Sequence, residues 1–214
     1  MEKERPTGGT RATIIRLERS PFHNNPADTP ISPAKRAVKI ALFALISLSV
    51  FGLMIFNPPP FLFFNVSKSA PLGLYLRKNV TRSLEKGSFS ALCLPLPIAK
   101  VALSKRYLIY IKQSTCPGHV PMVLKRIAAV SSDRIDLRQS GVRINGTIIP
   151  GSGFKNRDSR GRLLPHFPTG SYRVSSGFIW LLGENLKVSW DSRYYGPVPE
   201  SSVQFSVRPL LTWR

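Results

Sequence analysis

Lys125 stands in the apolar run Pro121-Met122-Val123-Leu124-Lys125-Arg126-Ile127-Ala128-Ala129-Val130, so its ammonium group is carried on a segment that otherwise reads as a buried strand. Burial lowers a lysine pKa from about 10.4 by up to roughly 3–5 units, enough to leave the amine neutral and able to take a proton. A neutral amine of that kind is useful to a serine, whose hydroxyl is a poor nucleophile until something deprotonates it. Ser69 is the matching candidate. It opens Ser69-Ala70-Pro71-Leu72-Gly73, where proline and glycine favour a tight turn and the small Ala70 leaves the hydroxyl accessible to an incoming carbonyl. The more usual base is a histidine oriented by a carboxylate, and none of His23, His119 and His166 has that setting. The three histidines are also too dispersed for a zinc site, so no metal and no cofactor are expected. Read one at a time, Lys125 is equally a lysine that packs its stem and extends its head to water, and the serine element is equally a plain turn.

The order of three blocks separates these readings. Asn65-x-Ser67-x-Ser69-x-Pro71-x-Gly73-x-Tyr75 comes first, the Lys125-Arg126 run follows 56 positions after Ser69, and Gly183-Glu184-Asn185 leads to Ser189-Trp190-Asp191-Ser192-Arg193-x-x-Gly196-x-Val198-Pro199-Glu200. The set resembles the type I signal peptidase superfamily of membrane-anchored Ser/Lys proteases. It is most similar to the TraF-like branch of conjugative transfer, which Cys116-Pro117-Gly118 before the lysine and Ser69-Ala70 in place of a Ser-Met pair also suggest. The resemblance covers about residues 60 to 207. It implies Ser69 as nucleophile and Lys125 as general base, with the Ser69 N–H and the Ser67 hydroxyl as oxyanion donors. It further implies that Ser189 orients the lysine amine and that Asp191 and Arg193 pair to hold their loop. One departure stands out: the superfamily's Gly-Asp-Asn reads Gly183-Glu184-Asn185 here, with a longer carboxylate whose contacts are open.

Something must carry these blocks outside the cytoplasm. Residues 40–56 contain no charge and end before Asn57 and three prolines, about the minimum length that spans hydrocarbon as a helix. Lys35, Arg36 and Lys39 precede that run, which places the N-terminus in the cytoplasm and the remainder beyond the membrane. The long preceding region and the lack of a small-x-small cleavage site favour a retained anchor over a removed signal peptide. The expected division is a cytoplasmic basic tail over 1–36, a transmembrane signal anchor over 37–57 and a periplasmic peptidase domain over 58–214, in a bacterial inner membrane. In an oxidising compartment Cys93 and Cys116 can form a disulfide worth roughly 3 kcal/mol, or they remain two buried thiols. The formal charge of +20 raises the question of nucleic acid, but the cations are scattered without a DNA-binding helix or an RNA-binding aromatic signature. No nucleic acid is expected as a partner, and anionic membrane lipid is the more natural one.

After the prolines the text turns to short apolar runs bounded by Gly, Pro, Asn and Ser, at 89–96, 108–111, 123–130, 134–137, 142–149 and 178–182. The expected fold is mainly β, a signal-peptidase-like mixed β-sheet or small barrel with one N-terminal transmembrane helix. Asn145-Gly146 predicts a hairpin turn, and residues 151–172 predict a long surface loop. The function that follows is a Ser/Lys endopeptidase that cleaves leader peptides from exported precursor polypeptides after small residues. Pilin subunits of a conjugative (type IV secretion) system are the expected precursors, with hydrolysis or cyclisation as the outcome. Two other classes remain: a non-catalytic structural component of the transfer apparatus, and a Ser/Lys autoprotease regulator.

Overall fold

The computed structural model describes residues 32–56, 59–78 and 84–213. The chain forms two compact units, dividing after Gly52.

The described residues of the first unit are almost all in one helix, α1 (Pro33–Phe56), which starts on a proline, a residue suited to the first helical turn. At 1.5 Å per residue its 24 residues extend about 36 Å, more than the roughly 30 Å of a hydrocarbon core. Its side chains Val38, Ile40, Phe43, Leu45 and Leu48 are each more than half exposed, and the stretch Pro33–Leu53 has a mean hydropathy of 1.8. The helix is therefore long and apolar enough to cross a membrane. It begins four residues before the expected boundary at 37, because Ala34, Lys35 and Arg36 are good helix formers that continue its first turn. The expected tail lies otherwise on residues outside those described.

The second unit is mainly β, as expected, and every strand pairing in it is antiparallel. Seven strands form the main sheet: β1 (Leu62–Asn65), β2 (Leu72–Lys78), β3 (Phe89–Leu92), β4 (Val123–Ala129), β9 (Phe178–Leu182), β10 (Val198–Pro199) and β11 (Val203–Trp213). Their order is β1-β2-β11-β3-β4-β9-β10. A second sheet has the order β7-β6-β5-β8, from β5 (Arg134–Arg138), β6 (Gly141–Ile144), β7 (Thr147–Ile148) and β8 (Gly170–Arg173). Asn145 (φ 49°) and Gly146 (φ 82°) close the β6–β7 hairpin, both in the left-handed region that such a two-residue turn demands. One core cluster packs Leu92, Leu94, Val120, Ile127, Ile179 and Leu181 against α2 (Leu96–Ser104), and another joins Ile135, Leu137 and Val142 to Trp180 and Leu182.

Two expectations give way here. Residues 108–111 form no strand: Ile109 and Tyr110 are exposed, and the Ile111 N–H to His119 carbonyl bond (2.7 Å) makes only a single link. The segment belongs to the loop that follows α2, a helix the short apolar text concealed. Pro97 sits in its first turn, and Ala99 and Ala102, three apart, are its buried face. The loop is anchored by the Cys93–Cys116 disulfide (Cα–Cα 5.2 Å), so of the two cysteine readings the bridge is the one that holds. Of the loop expected over 151–172, residues 151–169 are irregular apart from an isolated bridge between Arg157 and Leu163, whereas Gly170–Tyr172 belong to β8 and pair with β5.

Candidate active site

Lys125 lies in the middle of β4, opposite Ser90 of β3, on the same face as Ile127 and Val123. Only 5% of it is exposed. Its Nζ donates to Ser189 Oγ at 2.8 Å, which is the contact the resemblance implies for Ser189. Burial pushes its pKa down from 10.5 to about 8; the Asp191 carboxylate pulls the other way, and the Arg193 guanidinium adds to the depression. At pH 7 a pKa of about 8 leaves about a tenth of the amine unprotonated.

Ser69 sits in the turn between β1 and β2, 7% exposed. Asn65, at the end of β1, builds that turn. Its Nδ2 donates to the carbonyls of Ser67 (3.0 Å), Ala70 (3.3 Å) and Pro71 (2.9 Å), and its Oδ1 accepts from the Ser67 N–H (3.1 Å). Tyr75 OH donates to the same Pro71 carbonyl at 2.7 Å from a fully buried ring. These groups hold a segment with no ladder bonds of its own, which is what a fixed nucleophile needs. Ser67 Oγ and Ser69 Oγ are 3.0 Å apart, and the Ser69 N–H points at Ser67 Oγ at 3.4 Å, so both expected oxyanion donors belong to one small arc.

Ser67, Ser69, Lys125 and Ser189 all line one cleft of about 330 Å³. Ser69 Oγ is hydrogen-bonded to Ser67 and Lys125 Nζ to Ser189, and no hydrogen bond joins Ser69 to Lys125. The direct bond expected between Ser69 and Lys125 is not made, and each has a different hydroxyl as its partner. Catalytic hydrogen bonds commonly tighten only with substrate in place.

The third block is held by a buried ion pair. Arg193 is fully buried and grips Asp191 with two parallel bonds, Nε to Oδ1 (2.8 Å) and Nη2 to Oδ2 (3.0 Å). Such a fork fixes geometry as well as charge. Asp191 also accepts the Gly183 N–H (3.0 Å), while the guanidinium donates onward to the carbonyls of Gly153 (3.1 Å), Leu186 (2.8 Å) and Ser189 (3.2 Å). The pair therefore ties the end of β9, the loop 184–190 and the start of the long loop into one body.

Gly183-Glu184-Asn185, named in the sequence without roles, proves to be where the blocks meet. A Cβ on Gly183 would lie 2.2 Å from Ser189 Oγ and 3.0 Å from the Ser69 carbonyl oxygen, so only glycine leaves room for both. The Asn185 N–H donates to the Ser69 carbonyl at 3.1 Å. Glu184 points outward and pairs with Arg126, the residue after the lysine, through Oε2 to Nη2 (2.7 Å) and Nε (2.9 Å). The longer carboxylate thus reaches an arginine on β4, and the glycine and asparagine backbone keep the inner contacts. Asn65 and Gly183 are the positioning residues that residue-type reasoning passed over. Their signal was present, an Asn two before Ser67 and a Gly next to an acid, but only the fold says what each must touch. No group of three or more His, Cys, Asp or Glu side chains is gathered among the described residues.

Comparison with known proteins places this arrangement. A family model described as signal peptidase, peptidase S26, matches residues 34–210. A plasmid transfer protein TraF of Escherichia coli is 34% identical over 149 residues, covering 70% of this chain and 82% of the relative. A conjugal transfer protein TraF of Agrobacterium tumefaciens is 30% identical over 149 residues, covering 70% and 81%. The crystal structure of a signal peptidase I from Enterococcus faecalis aligns at 17% identity with a TM-score of 0.34, covering 59% of this chain and 98% of that one.

Proposed function

The chain belongs to the signal peptidase family, peptidase S26, and from that premise we propose that it is a membrane-anchored serine endopeptidase working through Ser69 and Lys125 on exported precursor polypeptides. The observation that carries the proposal is Lys125: buried, with its pKa brought down to about 8, held by Ser189 Oγ, and in one cleft with Ser69.

In the proposed reaction Ser69 Oγ exchanges Ser67 for Lys125 Nζ as its partner and gives up its proton as it attacks the scissile carbonyl carbon. The negative charge that develops on the carbonyl oxygen is met by the Ser69 N–H and the Ser67 hydroxyl, each such donor being worth about 2.7–4 kcal/mol. The C–N bond breaks, the lysine ammonium passes its proton to the leaving amine, and an acyl-enzyme on Ser69 remains. Water, deprotonated by the neutral Lys125, then releases the acid. The N-terminal amine of the acylated part itself, attacking in place of water, would displace Ser69 Oγ and release that part as a cyclic product, with Lys125 returning the proton to the serine. Ser189 positions the amine, and the Asp191–Arg193 pair positions Ser189.

The TraF relatives support conjugative transfer as the setting, and pilin-like precursors are the substrates proposed for that setting. Helix α1 serves as the anchor, and the basic residues before and within its start support a cytoplasmic N-terminus, a periplasmic catalytic unit and the inner membrane as location. The test is the mass of a pilin-like precursor after incubation with the detergent-solubilised chain, beside Ser69→Ala and Lys125→Ala. A shortened product made by the unmutated chain alone is expected, and a further loss of one water would mark cyclisation. A precursor left intact by all three would support the structural-component reading instead.

A further inference from the structure

We propose that the cleft selects precursors with acidic residues flanking the scissile bond, and that Lys155, Arg157 and Lys187 are the residues that select them; the proposal rests on the peptidase reading above. Three observations carry it. First, all three side chains are exposed and line the cleft that contains Ser69 and Lys125. None is paired with a carboxylate among the described residues. Second, Asp158, a carboxylate of the same lining, is already taken. It accepts from Arg162 Nε (2.8 Å), Tyr107 OH (2.9 Å) and the N–H groups of Arg160 (2.9 Å) and Arg162 (3.0 Å). Desolvation raises its pKa, but these bonds outweigh it and hold the carboxyl well below the usual range, so it stays an occupied anion. The cleft wall therefore presents uncompensated positive charge to whatever enters.

Third, the cations stand on fixed backbone. Lys155 and Arg157 come from the long loop and Lys187 from the turn before Ser189, two segments far apart in sequence. The Arg193 guanidinium binds both, at the Gly153 carbonyl on one side and the Leu186 and Ser189 carbonyls on the other. The Lys155 N–H also donates to Tyr194 OH at 3.2 Å. The group that positions Ser189 for Lys125 thus also sets the spacing of the cations across the cleft. Cations gathered along one cleft focus their field there and attract a carboxylate more strongly than scattered surface lysines do. A small-residue peptide with Glu on either side of the cleaved bond is the chemistry that fits.

Binding is read by fluorescence anisotropy on the full-length Ser69→Ala protein in detergent, which removes turnover from the readout. Labelled peptides with a central Ala-Ala pair are flanked by Glu, Gln or Lys. The Glu peptide is expected to bind at least about tenfold more tightly than the Gln peptide at 50 mM salt, with the gap closing towards 0.5 M as screening shortens the reach of the charges. Adding Lys155→Glu, Arg157→Glu and Lys187→Glu together should reverse the order, so that the Lys peptide binds best. A control reversal of Lys100, Arg138 and Arg143, exposed residues outside the cleft lining, should leave it unchanged. Equal binding of Glu and Gln peptides, or the same loss from the control reversal, would overturn the proposal. Cleavage of the same peptides by the unmutated chain is a separate reading: a charge preference in binding with no cleavage sinks the peptidase reading and leaves the selection standing.

Discussion

The general-base role proposed for Lys125 depends on its burial, and in that mechanism its protonation sets the pH profile. Below the pKa of about 8 the fraction of neutral amine rises tenfold per pH unit, so kcat/KM for precursor cleavage should rise with that slope and level off above about pH 8. The same shift has a stability consequence of fixed sign. A lysine whose folded pKa lies below its unfolded value binds more protons unfolded, so chain stability should increase between about pH 8 and 10.5 and be independent of this group below about pH 7. Urea unfolding across that range, with Lys125→Met as the reference that lacks the slope, measures it. Asn65 tests the nucleophile's support. Asn65→Ala removes the bonds to the Ser67 and Ala70 carbonyls, leaves the Pro71 carbonyl to Tyr75 OH alone and frees the Ser67–Ser69 arc, so about 1–3 kcal/mol of stability should be lost together with most of the turnover. Retained turnover in a destabilised protein would mean that the arc holds itself.

At the scale of elements, the site is a meeting of three segments that share no ladder: the β1–β2 turn, the middle of β4 and the loop after β9. Gly183 and the Asp191–Arg193 pair are their joint. Gly183→Ala must push a methyl group into Ser189 Oγ, and the expected result is a fall in kcat of roughly 100-fold or more, as happens when a small misplacement separates reacting groups. Its KM should change less, since the cleft lining is otherwise intact. Asp191→Asn leaves the Arg193 guanidinium buried without its counter-charge. Breaking one side of such a pair costs about 3–5 kcal/mol, so a matching fall in the denaturation midpoint is expected, with activity lost alongside because Ser189 and Leu186 are held by the same guanidinium. An unchanged midpoint would show that water reaches the pair.

For the whole molecule, the disulfide joins the end of β3 to the loop that leads into β4, so it constrains the segment between β3 and the strand that carries the lysine. Replacing Cys93 and Cys116 by serine should lower stability by about 2–4 kcal/mol in chemical denaturation without moving the pH midpoint near 8. Much of this protein was legible in its residues, and the reason is local chemistry. A charge-free run before prolines can only be an apolar helix end, and Asn145-Gly146 needs no partner to turn a chain. The order of the blocks around Ser69, Lys125 and Ser189 pointed to a family, and the match over residues 34–210 upholds that family. What escaped depended on neighbours distant in sequence. Strand β11 shows no alternation, because its partners β2 and β3 and its bulges decide which side chains are covered. Helix α2 is too short to show a period and is held by the core and the bridged loop beside it. The types of the reacting groups followed from sequence alone. The tertiary structure alone decided how far the Lys125 pKa is lowered, the room that Gly183 leaves and the cations that face the cleft, since burial, clearance and charge density exist only between segments the chain brings together.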